Sequence, residues 1–516
     1  LVSSDIAAPL LLGFLSLTQL GMILIGFAGF VVAFGLAVFI HELGHFLAAK
    51  AFGVPVQRFV IGLDKAAIGW LPPCIVEWKW GETTCGLSII PLGGYVLMSG
   101  VVHPEIERYL EEGESKAAAG TPQTAARPDG PPRPLPAEGT ATLGSQAVDE
   151  TNALYLKPFW QKTIIYGAGV VMNLILAMAV ITLLYTRGFN ESAPFPAEVS
   201  WIEPGSVYEG KGLGIGDIVV TANGTAVKDS EELAAALIPV LRSTEGPWEI
   251  ALGLKRPDGS RYELPLSLAP DSPARRDFFS TFVRMPPYIE GVIINDAADK
   301  AGLRGGDTVT AVNGTPVTNW YQFRAIVRAS LGTPLELDVQ RPDGSAARMT
   351  VTPKESTEER GIGQIGIIPG NSERVLVQEA LLVALAKSPG RTYDFTVQYI
   401  NNLKRLGKNL VGGNINSVRR ELGGPVAIAQ VAYRQAQKGL NDWLKFLVIL
   451  NIALAVMNML PIPVLDGGRI CMAAVEAVFR RPVPPKLLIP VMNGAFLFLM
   501  VFFVLVTFND VLKIFL

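Results

Sequence analysis

The chain has 516 residues, of which 17% are charged, with a net charge of -2 and a positive mean hydropathy. Charge so close to balance gives no basic face for nucleic acid, and long apolar runs at this length indicate a membrane protein of several domains. Three cysteines, Cys74, Cys85 and Cys471, show no C-x-x-C spacing and set up no disulfide framework.

The first segment, 1–102, opens on a run with no Asp, Glu, Lys or Arg from Ile6 to Ile40. One helical span needs about 20 residues, so this run is long for one helix and short for two. It reads as a single span ending near Lys50, preceded by an interfacial apolar piece around Leu10 to Leu20. It lacks the basic stretch of a secretory signal and leads straight into a metal motif, so it reads as retained and not as a removable leader.

That motif is His41-Glu42-Leu43-Gly44-His45. Residues four apart share a helix face, so His41 and His45 can offer two imidazoles to one ion with Glu42 beside them. Zinc in a catalytic site keeps a water, lowers its pKa and needs a carboxylate to move the proton. His41 and His45 suit the ligands, and Glu42 suits the base. Five-residue patterns arise by chance, but two of only three histidines fall in this one, and they sit in a charge-free run where polar groups usually mark function.

After Lys50, Trp78 to Ile89 reads as two short strands around a Gly81-Glu82 turn, followed by Pro91-Leu92-Gly93-Gly94-Tyr95. Backbone of this kind near lipid needs pairing or a cavity, which suggests a small sheet tucked against the helices. Its edge at Gly86, Leu87 and Ser88 could hold an extended peptide by strand addition, or the segment could be a hairpin with no ligand. The next segment, 103–156, is dominated by Ala, Pro, Gly, Thr and Glu, and reads as a flexible insert with His103 as a bystander.

In 157–189, Thr163 to Thr186 is again charge-free and long enough to span. Gly167 and Gly169 would let another helix approach closely, and Asn173 would find an interhelical hydrogen bond. Segments 190–277 and 278–370 then repeat each other. Gly212-Leu213-Gly214-Ile215-Gly216-Asp217 before Asn223-Gly224 recurs as Gly302-Leu303-Arg304-Gly305-Gly306-Asp307 before Asn313-Gly314, and Arg256-Pro257-Asp258-Gly259 recurs as Arg341-Pro342-Asp343-Gly344. Two copies of a roughly 90-residue unit, with short strands and one helix each, argue for tandem domains. The pattern resembles bacterial PDZ domains, a likeness that implies binding of chain ends or extended segments by strand addition, and so substrate gating or tethering; the loop near Gly363 is a candidate for meeting a peptide carboxylate.

In 371–440, Phe395, Tyr399, Leu403, Leu406 and Leu410 recur at helical spacing between basic residues, as in an amphipathic helix on lipid or on the core. The last segment, 441–516, holds two more spans, Phe446 to Leu465 and Leu487 to Phe508. The loop between them carries Arg469, Arg480, Arg481 and Lys486, so it is expected in the cytoplasm. Counting back, the tandem units lie outside, and His41 and Asp466 meet at the cytoplasmic leaflet. With the only other histidine, His103, in the flexible insert, a carboxylate from another helix is the expected third ligand. Asp466 supplies one at the end of an apolar span, where an unpaired charge is costly, although Asp before Gly also suits a helix cap.

Taken in order, H-E-x-x-H at His41, Pro91-Leu92-Gly93-Gly94-Tyr95, the tandem units and Asn458-x-x-Pro461 leading to Leu465-Asp466-Gly467 resemble the bacterial site-2 protease family of intramembrane metalloproteases, in the order of its regulator-of-sigma-E type. The likeness covers nearly the whole chain. It implies an α-helical membrane protein of about four spans with a small membrane-associated β-sheet and two PDZ-like α+β domains. It implies zinc held by His41, His45 and Asp466, Glu42 as base and Asn458 near the substrate backbone. It implies an inner-membrane enzyme, surrounded by lipid, that cleaves single-span membrane proteins such as anti-sigma factors, or remnant signal peptides, after trimming outside. Family members commonly carry Gly-Pro-x-x-Asn in the second span; here Gly169-Val170-Val171-Met172-Asn173 keeps the Asn without the Pro. A membrane scaffold that binds chain ends, its metal site vestigial, is the rival reading. A metal transporter fits less well, because the polar residues cluster at one leaflet and line no path across.

Overall fold

Apolar runs of bilayer length become helices because a helix satisfies its own backbone where no water can. The computed structural model describes residues 17–65, 72–88, 90–101, 152–241, 246–293, 296–356, 361–413, 418–419 and 422–515. Among them four helices are long and apolar enough to cross a membrane: Ala28–Ala51, Phe159–Arg187, Leu440–Asn458 and Pro485–Leu512. The chain divides into two compact units, one of residues 1–188, 378–412 and 419–511, the other of 189–377, 413–418 and 512–516.

The first unit begins with α1, Leu17–Ala51. No break separates the expected interfacial piece from the span: residues from Leu17 onward belong to one helix, and 10–16 lie outside the described residues. Gly53, at φ 68°, turns the chain out of the helix. A four-stranded sheet follows, of β1 Val56–Leu63, β2 Val76–Trp80, β3 Thr83–Leu87 and β4 Ile90–Met98. Its order is β2-β3-β1-β4, with Gly81 at φ 61° in the expected turn between β2 and β3. Phe46 and Ala49 of α1 pack on Phe59, Cys85 and Met98 of the sheet.

His103 and almost all of the expected insert lie outside the described residues. The described residues begin again at 152, before the expected boundary at 156. Ala153 and Leu154 are buried, and the Leu154 amide donates to Ser99 O at 2.9 Å, so these residues belong to the core. Helix α2, Phe159–Arg187, follows and ends on Gly188 at φ 79°.

The second unit starts with β5, Phe189–Ser192. Its first half contains β6 Ile218–Ala222, β7 Thr225–Ala226, α3 Ser230–Leu241, β8 Trp248–Lys255, β9 Arg261–Leu268 and α4 Pro273–Phe282. Its second half contains β10 Ile289–Val292, α5 Ala297–Lys300, β11 Thr308–Val312, β12 Thr315–Pro316, α6 Trp320–Ala329, β13 Leu335–Gln340 and β14 Ala346–Val351. Three short strands follow, β15 Lys354–Glu355, β16 Gly363–Gln364 and β17 Ile367–Pro369, and then β18 Arg374–Val377, which pairs with β5.

The repeat holds down to single atoms. The sheet orders are β7-β6-β8-β9 and β12-β11-β13-β14. Asn223 and Asn313 both sit at φ 49°, each before a Gly at φ 78°, as a tight hairpin turn requires. Asp217 accepts from Gly214 N at 2.7 Å and Asp307 accepts from Arg304 N at 2.9 Å. Each half carries two helices where one was expected. The expected boundary at 277 also cuts α4, whose Phe278 and Phe282 are core residues of the first half.

The chain re-enters the first unit through α7, Leu381–Val411, which is longer than the expected amphipathic stretch and packs against α2. Helices α8, Pro425–Lys438, and α9, Leu440–Asn458, follow. The third span stops at Asn458 and not at Leu465, because Pro461 and Pro463 have no amide hydrogens to continue it. Helix α10, Asp466–Phe479, and helix α11, Pro485–Phe515, complete the fold.

Candidate metal centre

His41 and His45 lie one turn apart on α1, and Asp466 opens α10, so Asp466 starts a helix and does not end a span. All three are buried. Their donor atoms converge: His41 Nε2 and His45 Nε2 are 3.2 Å apart, and Asp466 Oδ2 lies 3.1 Å from the first and 3.3 Å from the second. Bonds of about 2.0–2.2 Å in a tetrahedron separate ligand atoms by about 3.3–3.6 Å. The spacing therefore fits zinc.

The donor chemistry fits as well. His45 Nδ1 lies 2.8 Å from Ile165 O, which can only accept, so the His45 proton is on Nδ1 and its Nε2 is a bare lone pair. Asp466 Oδ2 is buried and faces both imidazole Nε2 atoms, at 3.1 and 3.3 Å. Acceptors facing one another away from water repel, and a cation at their centre removes the cost.

Gly467 and Gly468 make the approach of Asp466 possible. A Cβ on Gly467 would run into Met459 O, and one on Gly468 into Ile462 O, so the loop from α9 folds directly over the first turn of α10. Helices α1 and α2 also meet through glycine. A Cβ on Gly44 would strike Ala168 O, and a Cβ on Gly169 would lie 2.5 Å from His45 Nε2 and 2.6 Å from His41 Cε1. The expected close approach at Gly169 is thus present, whereas nothing lies within 4 Å of a Cβ on Gly167.

The centre opens on a cavity of about 330 Å³ lined by Glu42, Gly93, Gly94, Tyr95, Asn173, Asn458 and Arg469 among others. Glu42 is pressed by the sheet, since a Cβ on Gly94 would be 3.2 Å from Glu42 Cγ. Asn458, the last residue of α9, brings its amide nitrogen to 3.4 Å from His41 Nε2. Asn173 is fully buried, with its amide nitrogen 3.4 Å from His41 Nδ1.

Gly86, Leu87 and Ser88 do not line this cavity. Strand β3 is interior: Gly86 pairs with Glu77 of β2 on one side and Val60 of β1 on the other, and the Ser88 amide donates to Ile61 O. No edge is open there for an added strand, and a Cβ on Gly86 would meet Cys74 Sγ at 2.7 Å, so that glycine serves internal packing. The strand beside the metal centre is β4, paired only with β1 among the described residues. Its Gly93-Gly94-Tyr95 run is visible in the sequence, but only tertiary pairing reveals which strand has an unfilled side. Arg469 carried only a topological signal in the sequence, yet it lines the cavity with its guanidinium 5.9 Å from the Tyr166 ring centre.

A second grouping, Asp64, Cys74 and Glu77, is spaced closely enough for a metal. Arg58 already bridges its two carboxylates, with one nitrogen 2.8 Å from Asp64 and 2.7 Å from Glu77. Burial and the hydrogen bond to Asp64 push the Cys74 thiol up to about 12, so it donates to Asp64 as a neutral group. The cluster is a hydrogen-bonded knot that ties β1 to the loop before β2.

Comparison with known proteins agrees with the geometry. The profile of peptidase family M50 matches residues 29–502. A regulator of sigma E protease from Salmonella typhi is 28% identical over 487 residues, covering 90% of this chain and 93% of the relative. The regulator of sigma-E protease of Escherichia coli is 27% identical over 478 residues, covering 89% and 92%. A Neisseria meningitidis protein whose name describes a zinc metalloprotease is 26% identical over 496 residues, covering 94% and 98%.

Proposed function

The chain belongs to peptidase family M50, and from that premise we propose that it is a membrane-embedded zinc endopeptidase in which His41, His45 and Asp466 hold the metal and Glu42 is the general base. The observation that carries the reading is the convergence of two imidazole nitrogens and one carboxylate oxygen from separate helices to within 3.1–3.3 Å, with Glu42 on the wall of the same cavity. Bound zinc supplies Lewis acidity to the scissile carbonyl and a water of lowered pKa. Glu42 takes the proton of the attacking water and passes it to the departing amine.

The substrate class follows from the setting. A peptide bond inside a helix has its carbonyl tied up in the helix, so a spanning segment must unwind before it can react. The side of β4 at Gly93–Val96 that pairs with no strand among the described residues supports a reading in which the unwound backbone adds there as a strand, with the Asn458 amide holding a substrate carbonyl. Substrates would be single-span proteins of the inner membrane, anti-sigma factors or remnant signal peptides already trimmed outside. The names of the relatives, regulators of sigma E, support the first class.

The two repeated halves are read as PDZ-like modules facing the extracytoplasmic side. Gly363 lies in a groove of about 270 Å³ lined by Trp320, Phe323, Arg324 and Ile365, and a Cβ on Gly363 would collide with Val327 O. An apolar chain end with its carboxylate toward Arg324 suits that groove.

Replacing Glu42 with Gln tests the assignment. E42Q should keep one zinc per chain and lose cleavage of a single-span model substrate by 10²-fold or more. Full activity in E42Q would remove Glu42 as base, and a parent chain without stoichiometric zinc would favour a scaffold.

A further inference from the structure

We propose that α2, which supplies no metal ligand, sets the tautomers of both histidine ligands, with Asn173 as the positioning residue for His41. The inference rests on the ligand assignment above and goes beyond it.

An imidazole binds a metal through a bare nitrogen, so its one proton must sit on the other nitrogen and needs an acceptor there. For His45 the acceptor is the Ile165 carbonyl, 2.8 Å from Nδ1. Asn173 stands in the matching place for His41, its side-chain amide 3.4 Å from Nδ1. Asn173 is 0% exposed, and its Oδ1 is buried with no hydrogen-bond partner.

The two ends of an amide have nearly the same shape, and a half-turn about the last bond exchanges them. With Nδ2 toward His41, Asn173 donates, Nδ1 is the lone pair, and the proton is forced onto Nε2. That nitrogen faces His45 and Asp466, so this arrangement blocks the metal. With Oδ1 toward His41, the orphaned oxygen gains a donor, Nδ1 keeps the proton, and Nε2 is free to bind. Asn173 therefore accepts from His41 in the metal-loaded protein, as Ile165 does from His45.

The spacing on α2 supports the same assignment. Ile165, Gly169 and Asn173 follow one another at intervals of four and form one stripe on the helix. The outer two hold the imidazole edges, and the middle one has no side chain because the two rings occupy its place. One helix face thus does three jobs for the pair of ligands.

The test uses the full chain purified in detergent, with N173L, similar in size but without an acceptor, and N173D, which keeps the oxygen. Zinc affinity is read by chelator competition, and ligand geometry by the visible absorption of the cobalt(II)-substituted protein. N173L should bind zinc about 10- to 100-fold more weakly with an altered cobalt spectrum, while its metal-free thermal midpoint stays within a few degrees of the parent. N173D should keep the parent's affinity and spectrum. A folded N173L with the parent's affinity and spectrum overturns the proposal. If N173L does not fold, N173D decides: a tenfold loss of zinc affinity in N173D overturns it, and retention supports it. E42Q is insensitive to this outcome, so failure here is distinguishable from failure of the enzyme assignment.

Discussion

The imidazoles leave no room for a single extra carbon beside them. An alanine at Gly169 would put its methyl 2.5 Å from His45 Nε2 and 2.6 Å from His41 Cε1, inside any real carbon contact. G169A should lose stoichiometric zinc and about 1–3 kcal/mol of stability through overpacking. Gly167 is the internal control, since nothing lies within 4 Å of its added carbon and alanine is the better helix former. G167A should keep full zinc and match or slightly exceed the parent in thermal midpoint; metal analysis and melting of the two variants in parallel check the pair. The same contrast marks what a sequence reveals at this scale. The grouping of His41, His45 and Asp466 was legible because few residue types can bind zinc and such residues are costly in an apolar run. Gly167 and Gly169 looked alike because their difference is a matter of which helix face meets α1. Asn173 read as a packing hydrogen bond, and only its place opposite Ile165 along α2 gives it a chemical partner.

One helix start in this protein is finished by a distant part of the chain, which a local reading cannot see. Helix α8 begins at Pro425 after Gly424, which has no side chain to cap it, and its first-turn amide at Ala427 donates instead to Asp510 Oδ2 of α11 at 2.9 Å. Asp510 is 3% exposed, and a Cβ on Gly424 would lie 2.8 Å from its carboxylate, so the glycine and the acid are fitted to one another. A carboxylate at a helix N-terminus satisfies a free amide and meets the positive end of the helix dipole. D510A should therefore lower stability by about 1–2 kcal/mol, with D510N recovering most of it because the amide oxygen still accepts; unfolding in detergent measures both. The boundary of α9 was misplaced for a different, local reason. Hydropathy runs on through Pro461-Ile462-Pro463-Val464-Leu465, but two prolines end the helix at Asn458 and leave seven residues to turn the chain so that Asp466 can face α1. Strand identity was legible at the Gly81 turn, whereas the parallel pairing of β1 with β3, which closes β3 on both sides, follows from how the sheet assembles.

At the scale of the whole molecule, the chain divides into two compact units, and under the proposed function the first carries the chemistry while the second selects. The membrane spans were legible because bilayer thickness fixes their length, and the tandem units because the chain repeats its own turn residues, Asn223-Gly224 and Asn313-Gly314. If the second unit screens substrates while the first cuts them, a change in the groove should alter choice and leave the metal untouched. Arg324 is exposed and lines the groove beside Gly363, where a chain-end carboxylate would lie. R324E places a negative charge against that carboxylate and should weaken binding of a chain-end peptide about tenfold, equivalent to about 1.4 kcal/mol. Zinc content and kcat on an already trimmed single-span substrate should stay within twofold of the parent, and discrimination against the untrimmed form should fall. A loss of zinc or of trimmed-substrate cleavage in R324E would mean that the two units are not energetically separate. An unchanged ratio between trimmed and untrimmed substrates would move the screening function away from this groove.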